Sequence, residues 1–229
     1  MSPESKNTAK ITAIITAGGT SSRFGNSNKL MEKIHGKEVI KHTIDAFLNV
    51  VRGGEINKII ICANKSIMDE LETIFNNDNI EIIEGGSTRQ QSVLNGLNAC
   101  VDCDYVLIHD GARPMISTET IKKAIEMVKE KKALTVATKT IDTIKQVDEN
   151  LKIINTVDRS NLFNTQTPQA FEYNLIKEAH DKLQGQNFTD DAGMLEFLGK
   201  DVYILEGDYK NFKITNQSDV ELAKIYLDI

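Results

Sequence analysis

Apolar segments of strand length alternate with amphipathic segments of helix length along most of this chain, and this alternation limits the fold more than any other feature. Six segments predict buried strands: Ile11–Ile15, Lys58–Ala63, Ile80–Glu84, Tyr105–His109, Leu134–Thr138 and Val202–Leu205. Seven segments predict helices: Val39–Val50, Ile67–Phe75, Gln90–Cys100, Thr118–Lys131, Asn174–Leu183, Asp190–Leu198 and Ser218–Leu227. Such an order predicts an α/β fold, with a mostly parallel sheet covered by helices on both faces. Ligands of such sheets bind beyond the carboxyl ends of the strands.

One segment, Asp142–Asp158, breaks the alternation. Two runs of alternating side chains flank the turn Asp148-Glu149-Asn150, which is typical of a β-hairpin. Because an isolated hairpin is marginally stable in water, we expect it to lie on a sheet or on a partner chain. The sequence contains neither an internal repeat nor a proline-rich linker. We therefore predict one domain, residues 1–229, with a projecting β-arm at about 140–158 that is used for dimerisation.

Composition and charge exclude several classes of protein. A net charge of -6 argues against a nonspecific nucleic-acid binder but permits a local cationic pocket. No apolar run approaches the roughly 20 residues that span a bilayer. The first ten residues lack an apolar signal core, so we expect a cytoplasmic protein. The odd cysteine count and the single C-x-x-C pair, Cys100 and Cys103, favour structural thiols over a disulfide framework or a zinc site.

The loop Thr16–Lys29 follows the first predicted strand and is glycine-rich. It contains three glycines, several hydroxyl side chains, and the cations Arg23 and Lys29. Backbone amides free of side chains, together with two cations, are suited to phosphate. The alternative is an ordinary turn with surface cations, since glycine-rich loops recur without ligands.

Two further motifs follow predicted strands. In the segment 84–92, Ser87 or Thr88 is suited to cap a helix while Ser92 faces a ligand, although the segment by itself favours plain capping over a ligand site. In the segment 109–114, Asp110 is suited to sugar hydroxyls or a metal ion, and Arg113 to a phosphate. The alternative is an internal Asp–Arg pair. His109 is more typical of a packed histidine than of a catalyst.

The remaining candidates lie in the last third of the chain. Arg159 and Thr167 together would suit a phosphate, although a surface arginine beside a turn explains the pattern equally well. Thr189 precedes acidic residues and is typical of an N-cap. Lys213 lies between the apolar residues Phe212 and Ile214. In a strand, the side chain of Lys213 would point to one face and those of its two neighbours to the other.

Taken in this order, the segments from about residue 11 to the C-terminus resemble the 2-C-methyl-D-erythritol 4-phosphate cytidylyltransferases of the non-mevalonate isoprenoid pathway. The P-loop and dinucleotide motifs are absent, which is consistent with this resemblance. The resemblance implies a nucleotidyltransferase-type (Rossmann-like) fold, a homodimer, Mg²⁺, and the reaction of CTP with methylerythritol phosphate to give CDP-methylerythritol and pyrophosphate. The chain departs from the family pattern at Asn28, where a proline is usual, and at Gly18, where an alanine is common.

The resemblance also implies roles for individual residues. Those implied to be catalytic are Arg23, Lys29 and Lys213. Those implied to bind the nucleotide are Ala17, Gly18, Gly19, Gly85, Gly86, Ser87, Ser92 and Asp110. Those implied to bind the polyol phosphate are Arg113, Thr143, Arg159, Thr167 and Thr189, with Thr143 and Arg159 reaching into the neighbouring subunit. Mg²⁺ would be held mainly by the CTP phosphates, with Asp110 as a candidate ligand.

Two alternatives remain open from the sequence. The departures in the first loop also resemble a sister group, the ribitol-5-phosphate cytidylyltransferases that make CDP-ribitol for wall or capsule polymers, whereas the stretches His-Asp-Gly-Ala-Arg-Pro and Thr-Asp-Asp-Ala are more similar to the methylerythritol enzymes. A protein of another class, a nucleotide-binding protein without catalysis, would keep the same fold. Retention of both Arg23 and Lys29 argues against the second alternative.

Overall fold

A computed structural model of the chain describes residues 9–19, 24 and 28–227. Within these ranges the strands are β1 (Ile11–Ala17), β2 (Lys33–Ile34), β3 (Lys37–Glu38), β4 (Lys58–Ala63), β5 (Ile80–Glu84), β6 (Tyr105–Asp110), β7 (Ala133–Lys139), β8 (Ile144–Val147), β9 (Ile153–Val157), β10 (Phe163–Glu172) and β11 (Tyr203–Glu206). The helices are α1 (Val39–Arg52), α2 (Met68–Ile74), α3 (Arg89–Ala99), α4 (Thr118–Lys131), α5 (Tyr173–Lys182), α6 (Asp191–Phe197) and α7 (Gln217–Leu227).

Seven of the strands form one sheet in the order β11-β7-β10-β6-β1-β4-β5. All neighbouring pairs are parallel except those of β10, which runs antiparallel to both β6 and β7. The predicted mostly parallel sheet is therefore confirmed. Because β1 lies between β4 and β6, chain connections leave it in opposite directions, and a crevice forms at its carboxyl end.

Helices cover both faces of the sheet, as the alternation predicts. On β1, Ile11, Ala13 and Ile15 point to one face and join an apolar cluster with α1, α2 and α4. Ile14 points to the other face and joins a cluster with α3, α5 and α6. This two-sided burial is the reason that the central strands are continuous apolar runs. None of the helices in the described part of the chain is long and apolar enough to cross a bilayer.

Strand β10 is the strand of the central sheet that the sequence pattern did not predict. It contains Pro168, and its register against β7 shifts between Thr165 and Gln169. Proline within a run argues against a strand, but it is tolerated at irregular positions where no ladder hydrogen bond is needed. The motif around Thr167 thus lies within the sheet beside β6, and not in a connecting loop.

The hairpin predicted for Asp142–Asp158 is present as β8 and β9, which pair antiparallel with Ile144 opposite Val157. The turn is closed by the Asp148 carboxylate, which accepts hydrogen bonds from the backbone N–H groups of Asn150 and Lys152. The two strands form a sheet of their own, separate from the central one. Its use in dimerisation stays a prediction.

A third, smaller apolar cluster joins α7 to the β2–β3 ribbon. Ile34, Val39 and Val220 are buried there together with Ile214, whose backbone N–H donates to the carbonyl of Ala112 at 2.8 Å. This cluster anchors the loop that carries Lys213. The loop is not a strand, but Phe212 and Ile214 do pack into the cluster while Lys213 points away from it.

Candidate functional site

A cleft of about 250 Å³ lies at the carboxyl edge of the central sheet, next to the end of β1. The described residues that line it are Thr16, Ala17, Gly18, Gly19, Lys29, Leu30, Ser87, Thr88, Arg89, Ser92, Asp110, Ala112 and Lys213. Four segments therefore converge at the cleft: the first loop, the segment after β5, the end of β6 and the loop before α7. Eight of the residues implied by the resemblance line this one cleft: Ala17, Gly18, Gly19, Lys29, Ser87, Ser92, Asp110 and Lys213.

Asp110, the last residue of β6, is the centre of the charged groups in the cleft. Its Oδ2 lies 2.8 Å from the Lys213 Nζ and 3.8 Å from the Arg113 Nε. Its Oδ1 lies 3.3 Å from the Arg89 Nε and accepts a hydrogen bond of 3.3 Å from the Thr16 hydroxyl. Each carboxylate oxygen thus faces cationic groups, which fixes the orientation of the carboxylate plane.

The protonation state of Asp110 follows from a competition between burial and charge. Burial alone would raise the pKa of this carboxyl, but Lys213, Arg89 and Arg113 outweigh it and hold the pKa well below its usual range. Asp110 is therefore an anion at any pH at which the protein works. Burial lowers the pKa of Arg113, and Asp110 opposes that effect.

The charge around the cleft is positive although the whole chain is acidic. Lys29 donates a hydrogen bond of 3.0 Å to the Ile214 carbonyl, so it lies beside the loop of Lys213. Among the described residues of this cluster the cations outnumber the carboxylates four to two: Lys29, Arg89, Arg113 and Lys213 against Asp110 and Asp191. A cationic cleft with low-dielectric walls attracts an anionic ligand such as a polyphosphate.

Ser92 shapes the wall of the cleft formed by the segment 85–88. Its buried hydroxyl accepts the Gly86 N–H at 3.0 Å and donates to the Thr88 carbonyl at 2.9 Å. A Cβ atom on Gly18 would come within 3.0 Å of the Ser92 Oγ, and one on Gly85 within 3.1 Å. Glycine at these two positions thus lets the two loops approach each other. Thr88 is the N-cap of α3, which confirms one of the two predicted caps.

Thr167 lies behind Asp110 and is buried. Its hydroxyl accepts the Asp110 N–H at 3.1 Å and lies 3.0 Å from the Nδ1 of His109. The Nε2 of His109 faces the Arg113 carbonyl at 3.5 Å. Burial lowers the pKa of His109 to about 3, so the ring is neutral, and it packs against Phe47. The interpretation of His109 as a packed histidine is confirmed.

Several residues implied by the resemblance lie outside the cleft lining in this single chain. Arg113 is buried and donates to the Asn211 carbonyl at 2.7 Å. Thr143 is exposed at the base of the β8–β9 hairpin, and the exposed Arg159 donates to the Ile141 carbonyl. Arg23 lies outside the described residues.

The predicted N-cap at Thr189 is wrong. The cap of α6 is Asp190, whose carboxylate accepts the Gly193 N–H at 3.0 Å, while Thr189 is exposed one residue earlier. Asp190 has the extended backbone that an N-cap requires, and a carboxylate is as good a cap as a hydroxyl. Neighbouring capping residues cannot be separated by residue type alone.

Arg89 is a cleft residue to which the sequence reasoning assigned no role. It begins α3, and its guanidinium contacts two buried carboxylates, Asp110 at 3.3 Å and Asp191 at 2.7 Å. Its place inside the glycine-rich motif after β5 was the available signal, but Asp191 is 102 residues away in the sequence. Burial lowers the pKa of Arg89, but Asp191 and Asp110 outweigh it, and the net shift is upward.

Comparisons with known proteins agree with this geometry. The family model of 2-C-methyl-D-erythritol 4-phosphate cytidylyltransferase (IspD) matches residues 11–229. A 2-C-methyl-D-erythritol 4-phosphate cytidylyltransferase of Clostridium perfringens (strain SM101 / Type A) is 40% identical over 225 residues, which are 95% of this chain and 99% of that protein.

Solved structures are similar over the same range. The 4-diphosphocytidyl-2C-methyl-D-erythritol synthase of Anaerococcus prevotii DSM 20548 has a TM-score of 0.86 at 34% identity, covering 97% of this chain and 100% of that one. The 2-C-methyl-D-erythritol 4-phosphate cytidylyltransferase of Thermus thermophilus has a TM-score of 0.81 at 26% identity, covering 96% of this chain and 100% of that one.

Proposed function

This chain belongs to the 2-C-methyl-D-erythritol 4-phosphate cytidylyltransferase family, and we propose that its cleft binds CTP as the cytidylyl donor. It is a nucleotidyltransferase of isoprenoid precursor biosynthesis that acts on 2-C-methyl-D-erythritol 4-phosphate. The ribitol phosphate alternative is not favoured, because the matching family, relatives and structures carry the methylerythritol name. Both proposed substrates are charged phosphates, which favours action in the cytoplasm.

The proposed reaction joins two phosphates. An oxygen of the acceptor phosphate attacks the α-phosphorus of CTP, a new P–O bond forms, and the bond to the bridging oxygen breaks, so that pyrophosphate leaves. The attacking oxygen is already ionised at neutral pH, so the step needs positioning and charge neutralisation more than a general base. The neutral, enclosed His109 fits a reaction without a histidine base.

The observation that carries this proposal is the convergence of Lys29 and Lys213 on the cleft beside the end of β1. We assign both lysines, with Arg23 of the same first loop, to the charge that develops on the α-phosphate. The backbone of Ala17, Gly18 and Gly19 then approaches the triphosphate. The segment of Gly85, Gly86, Ser87 and Ser92 reads the base, and Asp110 lies beside the ribose.

Mg²⁺ is proposed as the cofactor. No group of three or more acidic, histidine or cysteine side chains within residues 9–19, 24 and 28–227 would hold a metal ion by itself. Asp110 is the carboxylate in the cleft lining, and Mg²⁺ is commonly bound by one or two carboxylates plus substrate phosphates. A metal ion here would be held mainly by the CTP phosphates, with Asp110 as a candidate ligand once binding of the nucleotide draws its cationic partners towards the phosphates. When bound, Mg²⁺ neutralises phosphate charge.

We further propose that the hairpin completes the site of a second copy of the chain. Thr143 and Arg159, at the two ends of the hairpin, are exposed, and the apolar side chains between them lack cover from the described part of the chain. An exposed arginine that pairs with no carboxylate of the described residues is suited to the acceptor's phosphate in a partner's cleft. Thr167, Thr189 and Arg113 are the remaining proposed acceptor contacts.

The test of the activity is pyrophosphate release with CTP and Mg²⁺, using methylerythritol phosphate and ribitol phosphate in separate reactions. We expect turnover with the first acceptor, and a loss of about 10²–10³-fold in kcat for Lys213→Ala. Lys210→Ala is the matched control, because Lys210 is exposed on the same loop and lies over the Tyr226 ring. No turnover with either acceptor, or equal losses in the two variants, would overturn the proposal.

The shared site has a separate test. Mixing an Arg159→Ala protein with a Lys29→Ala protein should restore part of the activity, because each mixed dimer then contains one site that carries neither substitution. If the subunits exchange and no activity returns, the hairpin does not complete the neighbour's site.

A further inference from the structure

We propose that Arg89 is a positioning residue that sets the orientation of Asp110 in the nucleotide cleft, and that Asp191 in turn fixes Arg89. The inference rests on the proposed function, because it concerns how this cleft binds CTP. It adds a role for three elements, α3, α5 and α6, whose side chains lie behind the cleft.

The first step of the argument is the bridge that Arg89 makes. Its Nε faces Asp110 Oδ1 at 3.3 Å, and its Nη1 faces Asp191 Oδ2 at 2.7 Å. The planar guanidinium presents donors in a rigid fork, so one side chain can hold two carboxylates in a fixed relation. A lysine ammonium, which is a point charge, can approach either carboxylate but does not impose this angle.

The second step is the rigidity of Asp191. Its side chain is 1% exposed, and its Oδ1 lies 3.1 Å from the Nε2 of His180 on α5. Its backbone N–H donates to Gln169 Oε1 at 3.0 Å. The amide of Gln169 is buried and donates to Thr135 and to the capping carboxylate Asp190, both at 2.9 Å. A buried hydrogen-bonded network of this kind has few alternative arrangements. The carboxylate of Asp191 therefore keeps its position and fixes the guanidinium of Arg89.

The third step is what Arg89 does to Asp110. The Oδ1 atom faces Arg89 and Thr16, which leaves Oδ2 to face Lys213. If Arg89 were lost, the carboxylate could rotate and Lys213 could follow it. The contact between Asp110 and Lys213 would then no longer be fixed before the nucleotide binds. The cost of ordering these side chains would reduce the free energy of CTP binding.

The test is a double-mutant cycle on the dissociation constant of CTP, measured by titration calorimetry without acceptor. We expect Arg89→Gln to raise this Kd about tenfold, which corresponds to about 1.4 kcal/mol. In an Asp110→Asn background the same change should raise the Kd less than about threefold, since a residue that acts through Asp110 has nothing left to position. Arg89→Lys should recover only part of the affinity for CTP that Arg89→Gln loses. Asp191→Asn should give a Kd similar to that of Arg89→Lys.

Lys58→Gln is the matched control, because it removes an exposed ion pair with Glu81 at the amino-terminal end of β4 and should leave the Kd unchanged. Equal factors for Arg89→Gln in the two backgrounds would overturn the inference, as would full recovery by Arg89→Lys. If Arg89→Gln unfolds, the cycle is run with Arg89→Lys and the same criterion applies. If the wild-type protein does not bind CTP, the proposed function fails instead, and that result is separate.

Discussion

The cleft around Asp110 and the β8–β9 hairpin place their side chains in opposite environments. In the cleft, one buried carboxylate is surrounded by three cations and a hydroxyl, all from the same chain. On the hairpin, large apolar side chains face solvent, including Leu151 at 81% and Ile154 at 62% exposure. The cleft is thus organised before any ligand arrives, whereas the hairpin has a composition that suits a covered surface. The difference teaches that one chain suffices to organise the charged groups of the cleft, while the described part of the chain leaves the apolar side chains of the hairpin exposed.

The largest effect should follow from removal of the central carboxylate. Asp110→Ala leaves the buried Arg113 and the partly exposed Arg89 and Lys213 without their common counter-charge. We expect a loss of about 3–5 kcal/mol in the free energy of unfolding, measured by urea titration. Glu81→Ala removes the carboxylate of an exposed pair and should cost less than about 1 kcal/mol. Equal costs would mean that the cleft is no more organised than the surface.

A smaller loss should follow from Thr167→Val, which keeps the shape of the side chain. Without the hydroxyl, the buried Asp110 N–H and the His109 Nδ1 lose their partner. We expect a cost of about 1–3 kcal/mol in unfolding. Thr167→Ser keeps the hydroxyl and is the control. If Thr167→Val left the free energy of unfolding unchanged and raised only the KM for methylerythritol phosphate, Thr167 would contact the acceptor, as proposed, without supporting Asp110.

The sequence predicted the fold and the cleft to different degrees, and the physical reason is the range of the interactions involved. The periodicity of apolar residues is a local signal, so β1 and the flanking helices could be assigned from short stretches of sequence. Strand β10 could not, because Pro168 interrupts the pattern that identifies a strand. The residues that line the cleft were found as motifs at strand ends. The support behind them, such as the contact of Arg89 with Asp191, joins residues that no local pattern connects.

The pH dependence of stability should also report the burial of His109 behind the cleft. The pKa of His109 is lowered to about 3 by burial, so the folded protein keeps this ring neutral while the unfolded chain protonates it near pH 6.5. The unfolded state then binds the extra proton, and stability is full above about pH 6.5 and falls as the pH drops towards 3, by up to about 1.4 kcal/mol per pH unit. His109→Asn should flatten this slope between pH 6 and 4.5, measured by urea titration at each pH.

His42 is the comparison for that slope, since burial also lowers its pKa but the residue is only half-buried. His42→Asn should therefore change the slope less than His109→Asn. Asp110 and Asp191 contribute with the same sign only near and below the ordinary aspartate pKa, because their pKa values are lowered in the folded state. A slope that His109→Asn leaves unchanged between pH 6 and 4.5 would show that the ring is already protonated when folded.

The smallest effect on the free energy of unfolding should come from a substitution in the hairpin. Such a substitution tests whether the exposed apolar side chains pack against a second copy of the chain. Ile154→Asp changes a residue that is 62% exposed, so the free energy of unfolding of the single chain should move by no more than about 0.5 kcal/mol. If the hairpin packs against a second copy, the same change buries an unpaired carboxylate and should shift the sedimenting species from dimer to monomer. Val101→Asp is the control, because Val101 is also exposed but lies in the connection between α3 and β6. A wild-type chain that sediments as a monomer at full activity would sink the dimer proposal, and the hairpin would then differ from the cleft only in being unpacked.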